Sequence, residues 1–131
     1  MLCVLQMMKT IIHATVLMVL LVADVMAKRA APEDVPPIVT EEVIYSVPHF
    51  PKGDRDQNGG VVEARDPKTK ALLWQVQVYK TGYDEGLEKD VQDVFIKSLS
   101  LDKAHNLLIM SDEKSRVFVL NLTTKKVTRI Q

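Results

Sequence analysis

Residues 66–79 read DPKTKALLWQVQVY, and this stretch decides the fold. Its first five residues carry turn chemistry. The Asp66 side chain can cap the backbone, and Pro67 presets φ for the first central position of a type I turn. From Ala71 the pattern changes to strict alternation. Leu72, Trp74, Val76 and Val78 fall on one face, and Leu73, Gln75, Gln77 and Tyr79 on the other. A period of two over eight residues predicts a half-buried strand. The chain therefore leaves a hairpin turn near residue 71 and re-enters a core. Trp74, the single tryptophan, is the largest piece of that core.

Working outward, VVEAR at 61–65 is the preceding strand and EEVIYSV at 41–47 an earlier one. Between them, PHFPKGDRDQNGG is a loop by its prolines and glycines. Downstream, FIKSLSL (95–101), HNLLIMSD (105–112), SRVFVLNL (115–122) and VTRI (127–130) read as strands, with Phe118 in the core. Leu87, Val91 and Val94 stand at helical spacing and predict one short amphipathic helix near residues 86–94. The expected class is mainly β: a small antiparallel sheet, a propeller-blade-like meander, with that one helix.

Two segments repeat. GGVVEARDPKTKALLWQV aligns with SRVFVLNLTTKKVTRI, each a strand, a turn with threonine before lysine, and a second strand. Asp66, Thr69 and Trp74 sit at the spacing of the blade hairpin in quinoprotein-like (PQQ-type) β-propellers, and the chain resembles that repeat over under half its length. Lys70 stands where that family prefers glycine. In the second copy Asn121 replaces the aspartate, Thr124 matches, Lys125 replaces glycine and no tryptophan follows. The resemblance implies an antiparallel blade, about one or one and a half by strand count. The family's quinone-binding residues have no counterparts here, so it implies no cofactor.

The N-terminus reads separately. Lys9 precedes the apolar run IIHATVLMVLLVA, Ile11 to Ala23. A charged n-region before an apolar run shorter than the roughly 20 residues of a spanning helix is the pattern of a signal peptide. Residues 1–27 are read so, with cleavage after Ala27, or after Ala23 as second choice, and Met8 as a second possible start. An uncleaved anchor is the alternative, disfavoured by His13 inside the run and Asp24 at its end. Cys3, the lone cysteine, precedes the run, so the mature chain would hold no thiol or disulfide. Residues 28–40, with Pro32, Pro36 and Pro37, read as a proline-rich linker, and 41–131 as one β-rich domain.

Seventeen basic residues balance seventeen acidic ones. That excludes a nucleic-acid binder relying on a basic face. The remaining length serves one modest core and excludes a full propeller or a dinucleotide-binding fold. The sharpest chemical pattern is DRDQNGG. Asp54, Asp56, Asn58 and Gly59 match positions 1, 3, 5 and 6 of a calcium loop. Position 12 holds Arg65 instead of glutamate, and Glu63 is the nearest substitute ligand. The competing reading is a polar hairpin loop. His49 and His105 read as loop histidines. Ser98, Ser100, Ser111 and Ser115 lack a nucleophile-elbow context. Asp84, Glu85, Glu88, Asp90 and Asp93 read as the wet face of the helix. No catalytic residues are assigned. Trp74, Val76, Val78 and Phe118 are assigned to the core. The functional expectation is a secreted or periplasmic non-catalytic module binding a protein or envelope component. The alternative is a small calcium-dependent or hydrolytic enzyme of the envelope.

Overall fold

The computed structural model describes residues 29–131. The expected signal segment lies outside them. β1 (Ile38–Val39), β2 (Ile44–Ser46), β3 (Val61–Arg65) and β4 (Leu72–Gln77) form one sheet in that order. β5 (Ile96–Asp102), β6 (Leu107–Asp112), β7 (Val117–Asn121) and β8 (Val127–Arg129) form a second. Every pairing is antiparallel. A single helical turn, α1 (Lys89–Gln92), lies in the connection between the sheets. The chain is mainly β, as expected, but it builds two four-stranded meanders where one small sheet was expected.

The strand the sequence did not signal is β1. It sits at the end of the proline-rich segment, with Ile38 opposite Tyr45 and Val39 opposite Ile44. Pro36 and Pro37 hold the backbone extended, which presents Ile38 ready to pair. Thr40 then closes the turn: its Oγ1 accepts the N–H of Val43 at 2.9 Å, and its own N–H donates to the Val43 carbonyl at 2.9 Å.

Four of the hairpin turns share one construction. In the β3–β4 turn Asp66 Oδ1 accepts the N–H groups of Lys68 (2.8 Å) and Thr69 (2.9 Å), and Lys70 adopts a φ of 64°. In the β7–β8 turn Asn121 Oδ1 accepts those of Thr123 (2.9 Å) and Thr124 (3.0 Å), and Lys125 adopts a φ of 61°. The repeat seen in the sequence is thus the same turn twice. Asp102 opens the β5–β6 hairpin and Asp112 the β6–β7 hairpin, whose left-handed residues are Asn106 (φ 57°) and Ser115 (φ 60°). A side chain in this region costs about 1–2 kcal/mol, less the backbone entropy glycine loses on folding. Lys70→Gly is therefore expected to stabilise the protein by about 1 kcal/mol, whereas Lys70→Ala, which keeps a Cβ, gains nothing. Paired urea titrations of the two variants check this. An alanine variant as stabilised as the glycine one would remove the backbone explanation.

One face of each sheet meets in a common core. Val62 and Val78 from the first sheet side join Leu108, Met110, Phe118 and Leu120 from the second, with Trp74 and Val76 half-buried against them. Tyr45 packs on Trp74, centroids 6.0 Å apart. The alternation expected from Leu72 fails at its first step. The register shifts between Ala64 and Arg65, which pair with Trp74 and Leu72, so Leu73 is an extra bulged residue. Leu72 and Leu73 stay about half exposed, at 48% and 50%, and re-entry into the core begins at Trp74. The one short helix expected near residues 86–94 is present, but its extent and apolar face need correction. Only four residues are helical, Leu87 and Val91 are exposed, and Val94 is buried beyond the helix end. Among the described residues no helix is long and apolar enough to cross a membrane.

Candidate functional site

The loop before β3 is pinned to the rest of the chain by its glycines and amides. Gly59 has a φ of 69°, and a Cβ there would lie 2.8 Å from Phe95 Cδ1 and 2.9 Å from the Val94 carbonyl oxygen. Glycine alone permits that approach. The Gly59 N–H donates to the His49 carbonyl at 2.7 Å. Gln57 bridges to the segment after β4: Nε2 donates to the Tyr79 carbonyl (3.0 Å) and Oε1 accepts the Thr81 N–H (2.8 Å). Asp93, 1% exposed, joins a third segment. Asn58 Nδ2 donates to its Oδ2 at 2.9 Å and the Tyr83 hydroxyl to its Oδ1 at 2.5 Å. The sequence placed Asp93 on a wet helix face. In the structure α1 ends at Gln92, and the extended backbone of Asp93 turns its carboxylate inward.

These ties frame a polar cleft of about 560 Å³. Asp54, Arg55, Asp56, Lys80, Thr81 and Lys89 are among the residues that line it. Lys89 Nζ lies 5.3 Å from the centre of the Tyr83 ring. Two of the three residues read as calcium ligands, Asp54 and Asp56, therefore face one cleft. Asn58 does not join them, because its amide is turned to Asp93. Glu63, the substitute for the missing twelfth ligand, is committed elsewhere: Oε1 accepts from Gln75 (2.8 Å) and Oε2 from Arg65 Nη2 (3.0 Å). Among the described residues no group of three or more His, Cys, Asp or Glu side chains is gathered to hold a metal ion. Sequence reasoning missed Arg55, Lys80 and Lys89, since no local spacing announces three cations brought together from separate segments.

All three tyrosines are held above their ordinary pKa. Burial, then the hydrogen bond to Asp93, pushes the Tyr83 phenol up to about 12. Burial, then the Asp112 carboxylate, raises Tyr79, partly opposed by Arg116. Burial, then Glu42, raises Tyr45. A raised phenol supports the fold fully below its unfolded value of 10.0, and that support is lost as pH climbs through the folded value. For Tyr83 the window runs from 10.0 to about 12. The native protein is therefore expected to develop phenolate absorbance only above pH 10.0, and urea should return the titration to that ordinary midpoint. A tyrosine ionising in the native state at the ordinary midpoint contradicts the assigned environments.

The remaining candidates have structural partners. His49 is a loop histidine but a buried one, 4% exposed and tilted against Phe95 at 4.6 Å between centroids. Its Nδ1 lies 3.4 Å from Asp34 Oδ1, and its Nε2 has no hydrogen-bond partner among the described residues. His105 is exposed in the β5–β6 turn, its Nδ1 2.8 Å from Asp102 Oδ2. Ser98 and Ser111 hydrogen bond to each other across β5 and β6. No histidine or carboxylate stands beside a serine in a nucleophile arrangement among these contacts.

No family model, no curated protein and no solved structure matches the chain.

Proposed function

We propose that the chain is an exported, non-catalytic binding module that takes a protein partner by strand addition along β4. The observation that carries this reading is the outer edge of that strand. The end strands of the two sheets are β1, β4, β5 and β8. β1 and β8 are only two and three residues long, which blunts them as templates. β5 runs seven residues and, like β4, has a register shift near its start, but its exposed side chains are Lys97, Ser98 and Ser100, and a lysine on an edge opposes pairing. β4 runs six residues, and beside its unpaired backbone groups Leu72 and Leu73 stand half exposed. Backbone ladder bonds supply affinity in such an addition, and side chains at alternate positions supply selectivity. Ladder bonds and apolar side chains carry no net charge for salt to screen, so the complex should resist salt. The export half of the reading rests on the apolar run of residues 11–23. N-terminal sequencing of the mature protein should begin at Lys28.

The test pairs capture with a blocked edge. Tagged protein is used to retain partners from an extract of the source cells, beside the variant Leu73→Lys. A lysine on an edge strand opposes further pairing, and at a half-exposed bulge it leaves the fold intact. The expected result is one salt-resistant partner, lost with the lysine variant, whose binding slows amide exchange in β4. A partner retained equally by the variant, with unchanged exchange in β4, rejects the strand-addition reading.

A further inference from the structure

The polar cleft supports an inference independent of the β4 edge. Five charged side chains line it: Asp54, Arg55, Asp56, Lys80 and Lys89. They come from three segments, namely the loop before β3, the segment after β4 and α1. Among the described residues the ion pairs join His49 to Asp34, Arg65 to Glu63, His105 to Asp102 and Arg116 to Asp112. None of the five cleft charges pairs with another. Asp54, Arg55 and Asp56 are direct sequence neighbours, which does not favour their pairing with one another. Arg55 is only partly exposed, yet among the described residues its guanidinium has no carboxylate in ion-pair contact. A second sign comes from Thr81. Its hydroxyl oxygen is buried at the cleft and has no hydrogen-bond partner among the described residues, although its N–H is taken by Gln57. A buried hydroxyl left without a partner marks a place for an outside donor or acceptor. The volume falls in the range of about 300–1,000 Å³ common to small-ligand sites.

A simple anion would satisfy the three cations and be repelled by two carboxylates. A simple cation would meet the reverse. The ligand that suits both signs carries an ammonium and a carboxylate together. We propose that this cleft binds a zwitterion of the amino acid or short-peptide class. Its carboxylate is held by Arg55, Lys80 and Lys89, and its ammonium by Asp54 and Asp56. The Thr81 hydroxyl provides the neutral polar contact between them. No bond is made or broken; the site positions and retains.

The test is a titration of the isotope-labelled protein followed by backbone amide resonances. The probes are trialanine, the same peptide with both ends blocked, glycine, inorganic phosphate and calcium chloride. Trialanine or glycine is expected to shift the amides of Arg55, Asp56, Lys80 and Thr81, and the blocked peptide is not. The stronger of the two free-ended probes tells peptide from amino acid. Arg55→Gln and Asp56→Asn should each weaken that binding by about tenfold, the loss of one charge-assisted contact. Both side chains lie outside the core, so both variants should unfold at the normal midpoint. Three outcomes overturn the proposal. Phosphate binding that tightens in Asp56→Asn marks a plain anion site. A response to calcium alone marks a cation site. No response to any probe leaves five solvated charges and no ligand.

Discussion

Asp112→Ala is expected to destabilise the protein by about 3 kcal/mol, lowering the thermal midpoint by about 10 °C or more. The carboxylate is completely buried. Its Oδ1 accepts the N–H groups of Lys114 (2.9 Å) and Arg116 (3.0 Å), and its Oδ2 accepts Arg116 Nε at 2.6 Å. The guanidinium so held lies over the rings of Tyr79, at 4.8 Å, and Phe118, at 5.5 Å. Alanine removes the acceptor for three donors at once, and it frees a cation from the aromatic pair it covers. Asp112→Asn is the informative companion. Asn121 performs the same turn-capping task in the β7–β8 hairpin with an amide oxygen alone. The asparagine variant should therefore keep the cap and lose only the attraction to Arg116, costing about half as much. Thermal and urea unfolding of both variants decide the matter. Equal losses would place the whole effect in the ion pair and none in the cap.

Leu120→Ala is the second large effect, about 3 kcal/mol within the usual range of about 2–5 kcal/mol for such truncations. Leu120 is fully buried, faces the equally buried Leu108 across β6 and β7, and meets Val127 on its other side. Both neighbours are fixed by backbone ladders, so the space left behind collapses little. Leu73→Ala removes the same atoms from a half-exposed bulge and should cost under about 1 kcal/mol. The ratio of the two urea-midpoint shifts measures how far the core extends along β4. Similar losses would mean that Leu73 is covered in solution.

The contrast between Leu120 and Leu73 also marks how much of the fold the sequence displays. Asp66 and Asn121 announce their turns because a short side-chain acceptor two residues before an N–H is a local device. VFVLN and LLIMSD announce strands because a short run of β-branched, aromatic and other apolar residues before a turn is local too, and both are buried at alternate positions. The bulge at Leu73 is not local. It arises from the register with β3, which no run of residues within β4 encodes. Nor is the burial of Asp93, which depends on a helix stopping after one turn and on Asn58 and Tyr83 arriving from elsewhere. The calcium pattern shows the same division. Its spacing is correct as a string, but loop closure through Asn58 and Gly59 directs one of the three ligands away from the other two. The cleft cations are legible only after three segments have been brought together.

Each strand pairs only with its neighbour in sequence, and this has a consequence for synthesis. As the chain emerges from its N-terminus, β1 to β4 can close their ladders before any residue of β5 exists, since no pairing waits for a distant segment. The finished first sheet then presents Val62, Trp74, Val76 and Val78 uncovered until the second sheet arrives. At about 5–20 residues per second that interval lasts several seconds. The nascent protein is thus half folded and sticky for that time. Any chaperone that attends it has one defined surface to shield, and one event, the closing of β7 onto β6, that ends its task.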